Sequence, residues 1–426
     1  MNKRFILLLL PVLLTTNVVD STDQPFQLSS TERYELSQTA YSSDFSYLPD
    51  SLVAFDDTVS YRDENLQQVA HPILPHRKLN LVGHFVNSTQ QMVFQLADGT
   101  YIPASSHLFF QDSILSQSEG ERTYWLKKGF TLKSSPLVHQ AQILSSKTLA
   151  AYQPVLVKKE VRTPVGVFAE IPGQGWVAVA DLSQEDNRME KVQNLLDTSY
   201  KKDTLAVYVK QLSSGKTAGI QTKKPFYAAS IAKLPLLYYV QDQLDKGELD
   251  TTQLFRYTAR SMTFPGAYQV GGSGSLPKTP TNHPHSVGEL IDKVAKESDN
   301  VASNLLGYYV AHEFGSSFYE TMEERGLSWD MVSRETTVEA AGRMMEALYE
   351  QDGLVLQSLR STQFDDQRIP KMLPVPVAHK IGDADDLKHD VAVVYAKDPF
   401  VLAVFTDQSR YEDISQLAQE IYEILQ

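Results

Sequence analysis

The 426-residue sequence contains no cysteine. Disulfides, thiolate metal sites, a cysteine nucleophile and a lipidated N-terminal cysteine are therefore excluded, although the absence alone fixes no compartment. Basic charge is also scarce, with 39 Lys and Arg against 52 Asp and Glu and a formal net charge of −13. That balance argues against a general nucleic-acid binder. No apolar run approaches the ~20 residues of a membrane-spanning helix. The longest, residues 5–14, follows Lys3 and Arg4 and is succeeded by Thr15, Thr16 and Asn17. A short positive stretch and an apolar core of about ten residues is the layout of a secretory signal. Residues 1–19 are read as a signal peptide, with an uncleaved membrane anchor or a buried helix as alternatives and no clean small-x-small cleavage site. The protein is expected to be secreted, or held at the cell wall or membrane surface.

What is present is ordinary globular material, 42% hydrophobic and 21% charged, in a length that suits two or three domains. Residues 20–65 read as an acidic, flexible tether: ten acids face only Arg33 and Arg62 over 20–64. Such a segment buries too little apolar surface to offset its ordering entropy. Its frequent Tyr and Phe leave room for local packing. From 66 to 184 the pattern changes to short β-type runs separated by Gly and Pro. Two stretches look alike, Gly99-Thr100-Tyr101-Ile102-Pro103-Ala104 and Gly175-Trp176-Val177-Ala178-Val179-Ala180. Each is similar to the closing strand of bacterial SH3-like wall-binding repeats, including the Gly-Trp type. The resemblance implies two small all-β repeats, about 66–115 and 120–184, that bind a wall polymer; a single β domain without a ligand is the alternative. Ten basic residues against seven acidic ones make 66–184 mildly positive.

After Asp186 the pattern is mixed α/β. A helix over 188–200, strands over 205–211 and a following segment, a helical block, strands near 378–382, 390–396 and 401–406 and a helix over 411–425 predict an antiparallel sheet flanked by helices, with a helical lobe between. Within this region Ser230-Ile231-Ala232-Lys233 is an S-x-x-K pattern. The same pattern begins at Ser199, Ser213 and Ser275, so alone it means little. Ser230 differs in its setting: it follows a strand and opens an apolar helix, with Pro235 in the first turn. Spacing of three puts Lys233 on the same helical face. A hydroxyl needs a base in contact to act as a nucleophile, and a lysine whose pKa burial lowers can be that base. A plain helix N-cap is the ordinary alternative for Ser230. Ser298-Asp299-Asn300, which occurs once, and Lys380-Ile381-Gly382 on a predicted strand tip the balance.

These three elements resemble the S-x-x-K, S-D-N and K-T-G set of class A β-lactamases and penicillin-binding proteins, serine hydrolases of the penicillin-recognising type. Gly271-Gly272-Ser273-Gly274-Ser275-Leu276 and Thr336-Thr337 are similar to further parts of that family, and the resemblance covers nearly all of 187–426. It implies that Ser230 is acylated, Lys233 takes its proton and Ser298 relays a proton to the leaving nitrogen. It implies that Asn300 holds Lys233 and the substrate amide, and that Lys380, with Gly382 beside it, receives a substrate carboxylate. The oxyanion hole would be the backbone N–H groups of Ser230 and Asp383, and Asp299 would be structural.

Two departures stand out. Ile381 replaces the usual Thr, which puts penicillin as the natural ligand in doubt. The family's deacylating Glu with an Asn four residues later has no counterpart, since Asn304 is the last Asn and the span from Asn300 to Thr336 is short. The other signals are bland. His389-Asp390 is read as strand packing rather than a dyad, His283 and His285 as a surface loop, and 271–274 lacks the Lys of a phosphate loop; no metal or cofactor is expected. The leading expectation is an exported acyl-serine enzyme acting on cell-wall peptide, peptidoglycan or a related amide or ester. A genuine β-lactamase acting on β-lactam-like substrates and a catalytically weak wall-binding scaffold are the competing readings.

Overall fold

A computed structural model of the protein describes residues 44–426. The signal or anchor expected at 1–19, and the tether through residue 43, lie outside the described residues. The chain divides after Gln184 into two units. No helix among the described residues is long and apolar enough to cross a membrane.

The first unit is all β. Strands Thr58–Tyr61, Val69–Ile73, Leu81–Val86, Met92–Leu96 and Tyr101–Pro103 form one five-stranded sheet. Strands between Ser116 and Ser183 form a six-stranded sheet around Tyr124, Leu126, Val157, Ile171 and Val177. Both look-alike stretches contribute strands, Tyr101–Pro103 and Gly175–Ala178. The sequence reading extended the flexible tether to residue 65, and the structure shows strands before that point. Leu52–Ala54 pairs with Phe109–Gln111, and Thr58–Tyr61 joins the sheet, so residues 44–65 are folded rather than a tether. The cause is local: Phe45, Leu52, Val53, Ala54 and Phe55 are buried, and a charge balance averaged over the whole segment hides that apolar cluster.

The second unit begins with α1 (Arg188–Leu195), whose last turns widen into a π-helix over Leu196–Tyr200. The strands β1 (Leu205–Gln211) and β2 (Thr217–Ile220) follow. Next come α2 (Lys233–Asp245), α3 (Val287–Glu297), α4 (Asn300–Tyr309), α5 (Ser316–Glu324), α6 (Val338–Gln351) and α7 (Leu354–Leu359). Strands β3 (Val377–Ala384), β4 (Leu387–Val394) and β5 (Phe400–Asp407) and the helix α8 (Tyr411–Leu425) complete it. The sheet order is β2-β1-β5-β4-β3, antiparallel throughout. Its strands are apolar on both faces because both are covered. Leu205, Val207, Val404 and Val394 pack on Met189, Val192, Ile414, Leu417 and Ile421 of α1 and α8. The alternate residues Ala206, Tyr208, Ala403 and Phe405 pack on the helical lobe, including Ala341, Met344 and Met345 of α6. Strand alternation thus sends each successive side chain to a different core.

Candidate active site

The helix predicted to start at Ser230 begins instead at Lys233; Ala229–Ala232 is a 3₁₀ turn. Ala229 holds φ +49°, Ser298 +55° and Arg334 +55°, left-handed backbone that costs a non-glycine residue on the order of 1–3 kcal/mol. All three belong to the loops that assemble the site. β3 passes so close to the nucleophile turn that a Cβ on Gly382 would lie 2.8 Å from the Ala228 carbonyl oxygen. The strand therefore brings Lys380, Gly382 and the Asp383 backbone beside Ser230. The glycine-rich loop approaches as closely from the other side: a Cβ on Gly274 would overlap the Asp299 carboxylate.

Lys233 is fully buried, while Ser230 is half-buried. The Lys233 Nζ lies 2.7 Å from the Ser298 carbonyl, 2.7 Å from Asn300 Oδ1, 3.0 Å from Ser230 Oγ and 3.2 Å from Ser298 Oγ. Burial, followed by the charge of Lys380, holds its pKa well below the usual lysine range; Arg334 and Lys278 add to this and Asp299 opposes it. A neutral amine has two N–H groups and one lone pair. The two carbonyl oxygens can only accept, so they take both N–H groups. The lone pair is left facing the Ser230 hydroxyl, with the Ser298 hydroxyl alongside.

Ser298 caps α3 in the left-handed conformation, and its hydroxyl receives a 2.7 Å hydrogen bond from Lys380 Nζ. Lys380 is buried and also donates to the Ile381 carbonyl at 3.0 Å. Burial, and then the neighbouring Arg368 guanidinium, lowers its pKa to about 7. Asp299 caps α4, accepting from Ala302 N, and its other oxygen accepts from Leu276 N on the glycine-rich loop. Asn300 uses its amide N–H on the Gln269 carbonyl at 2.8 Å. The structure thus brings Ser230, Lys233, Ser298, Asn300 and Lys380 into one hydrogen-bonded cluster, with Asp299 as its scaffold. Ile381 is buried and offers no hydroxyl.

Residues 187–425 match the model of the Beta-lactamase enzyme family. The chain belongs to the β-lactamase enzyme family. Its hydrolase unit is a serine hydrolase of the β-lactamase and penicillin-binding-protein type. Solved structures similar to it include a PBP-A mutant as an acyl-enzyme complex with penicillin G, 19% identical, TM-score 0.47, covering 56% of this chain and 96% of that one. A β-lactamase from Chitinophaga pinensis is 18% identical, TM-score 0.47, covering 56% and 100%. One from Sphaerobacter thermophilus is 21% identical, TM-score 0.45, covering 56% and 94%. No curated protein matches the sequence.

Several groups at this β-lactamase-family site had no sequence motif to announce them. Asn304 clamps Tyr268 by accepting from its N–H at 2.7 Å and donating to its carbonyl at 2.8 Å. The Tyr268 ring has Lys233 Nζ 4.5 Å and the Arg334 guanidinium 3.7 Å from its centroid. Arg368 is fully buried, paired with the Asp383 carboxylate and stacked on Tyr411, with Nε and Nη1 lacking a partner among the described residues. Behind β3, His379 lies between the Asp390 and Asp365 carboxylates at 3.0 and 3.2 Å. Burial opposes its charge, but the two carboxylates outweigh burial and raise its pKa to about 9. His389, adjacent to Asp390 in sequence, makes no dyad with it. Its Nδ1 accepts from Thr406 N and its Nε2 donates to the Tyr227 carbonyl, and burial lowers its pKa to about 4. His285 is buried on a short strand and contacts Glu289, rather than lying in a surface loop. Among the described residues no group of three or more His, Asp or Glu is placed to hold a metal.

Proposed function

We propose that this is an exported acyl-serine enzyme that acts on cell-wall peptide, or on a related amide or ester, through Ser230. The observation that carries the reading is the surroundings of Lys233: two acceptor-only oxygens at 2.7 Å leave its lone pair to the Ser230 hydroxyl. Ser230 Oγ bonds to the substrate carbonyl carbon as its proton passes to Lys233 Nζ. The oxyanion is held by the backbone N–H groups of Ser230 and Asp383. The C–N bond then breaks, the leaving nitrogen takes the Ser298 proton, and Lys233 returns a proton to Ser298. Ser230 is left as an ester and Lys233 neutral. Lys380 supplies the cation for a substrate carboxylate.

Release of the ester is the slow half. Glu335, the acid that precedes α6, is exposed, and Asp299 is fully engaged as a cap. Lacking a positioned general base typically slows a step by about 10²–10⁴-fold. With a chromogenic cephalosporin, stopped-flow should show a stoichiometric burst followed by a slow steady state. Intact-protein mass should show one adduct, missing in Ser230→Ala. An adduct that persists in Ser230→Ala would overturn the nucleophile. Sustained turnover at about hundreds per second, well above a median enzyme, would replace this reading with a β-lactamase.

A further inference from the structure

We infer that Arg334 is a positioning residue for Lys233: its pinned guanidinium clamps the Tyr268 ring against the lysine amine and ties together the loops that carry the site. The inference rests on the acyl-serine reading and adds a residue to it. Arg334 Nη2 donates to two consecutive carbonyls, Gly266 at 2.8 Å and Ala267 at 3.0 Å. Those bonds fix the guanidinium 3.7 Å over the Tyr268 ring. The same ring lies 4.5 Å from Lys233 Nζ, so both cations rest on one aromatic surface. The Tyr268 backbone is held from the opposite direction by Asn304 on α4, the helix that Asn300 begins. The Arg334 carbonyl accepts from Ala228 N at 2.8 Å, two residues before the nucleophile. One residue therefore connects the strand leading to Ser230, the Tyr268 loop and the segment entering α6.

Two further observations set this apart from ordinary packing. Arg334 adopts left-handed backbone, a conformation a non-glycine residue keeps only when its surroundings enforce it. The Arg334 Nε and the Tyr268 hydroxyl are buried without a partner among the described residues.

The charged groups that face Lys233 are Lys380 on β3, Asp299 at the start of α4, Lys278 beyond the glycine-rich loop, and Arg334. Lys380 also bonds Ser298, and Lys278 is engaged with the Gly272 and Gly274 carbonyls. Arg334 is the cation that can be removed while the four polar neighbours of the Lys233 amine stay in place. Its charge adds to burial and to Lys380 in disfavouring a proton on the amine.

The test is an NMR titration of the full chain labelled with ¹³C at the lysine ε-carbons, with Lys233→Arg assigning the signal. Arg334→Gln and Arg334→Met, two neutral replacements, guard against one failing to fold. In either, the Lys233 midpoint should rise, and Arg334→Lys should restore most of the difference. The acid limb of Ser230 acylation by a fluorescent penicillin should move with it. An unmoved Lys233 midpoint in the neutral variants, or an acid limb that does not move with it, overturns the inference. Failure of the acyl-serine reading looks different: wild type forms no Ser230 adduct at any pH, while the titration still reports on Arg334.

Discussion

The chemistry of the site turns on how many protons sit on two amines. Lys233 acts as a base only when neutral, and Lys380 attracts a carboxylate only when charged. Burial lowers both, yet Lys380 falls to about 7. The rate of Ser230 acylation by a carboxylate-bearing β-lactam should therefore rise with pH as Lys233 loses its proton. It should fall again above about 7 as Lys380 loses its charge; an ester without a carboxylate should lack that alkaline limb. Asn300→Asp is a sharper probe. It would put a carboxylate 2.7 Å from Lys233 Nζ and favour the protonated amine. Acylation at neutral pH should drop by on the order of 100-fold and recover as pH is raised. A drop that ignores pH would mean that Asn300 serves geometry and not proton affinity.

At the scale of elements, β3 does two jobs with its two faces. Lys380 faces the helical lobe, while His379 faces the other way, where it joins the strand to Asp390 on β4 and to Asp365. The His379 pKa is raised above the unfolded value of about 6.5. Its stabilisation is then fully present below about pH 6.5 and lost as pH rises through about 9. His379→Gln should lower the melting temperature at pH 6, by on the order of 3 kcal/mol in stability, with the gap to wild type closing toward pH 10. Gly382→Ala should push β3 off the nucleophile turn and abolish acylation while leaving the circular dichroism unchanged. The sequence made the trio of motifs legible because that chemistry needs specified residue types in a fixed order. It read the adjacent His389 and Asp390 as strand packing, in which neighbours project to opposite faces, and did not single out His379. Asp390 meets instead the diagonal residue across the ladder, since His379 pairs with Ala392. Arg334 stayed silent for a different reason: its contacts with the Tyr268 loop span 67 and 68 residues, and no local period encodes them.

On the scale of the whole molecule, the all-β unit is the less acidic of the two, its excess of basic residues is confined to 66–184, and we propose that this stretch is what a wall polymer attracts. A fragment carrying residues 44–184 should sediment with purified walls at low salt and be released as salt screens the charge, whereas 185–426 should stay in solution. Equal retention of both would remove that role. The strands at 52–61 escaped the sequence reading because a few buried apolar residues sit among many acids; in the hydrolase unit the first and last helices were legible from their one apolar face and the central strands from their continuous apolar runs. That unit's connectivity also governs how it can be made. β1 pairs along its whole length with β5, and Arg188 at the start of α1 bonds the carbonyls of Leu425 and Gln426, up to 238 residues away. A ribosome delivers these partners far apart in time, so β1 has no neighbour on one side until β5 emerges. The unit must therefore remain open through nearly all of its own synthesis, closing late and by distant contacts. Its two ends finish side by side, so joining them and cutting a surface loop should give a permuted enzyme that still folds.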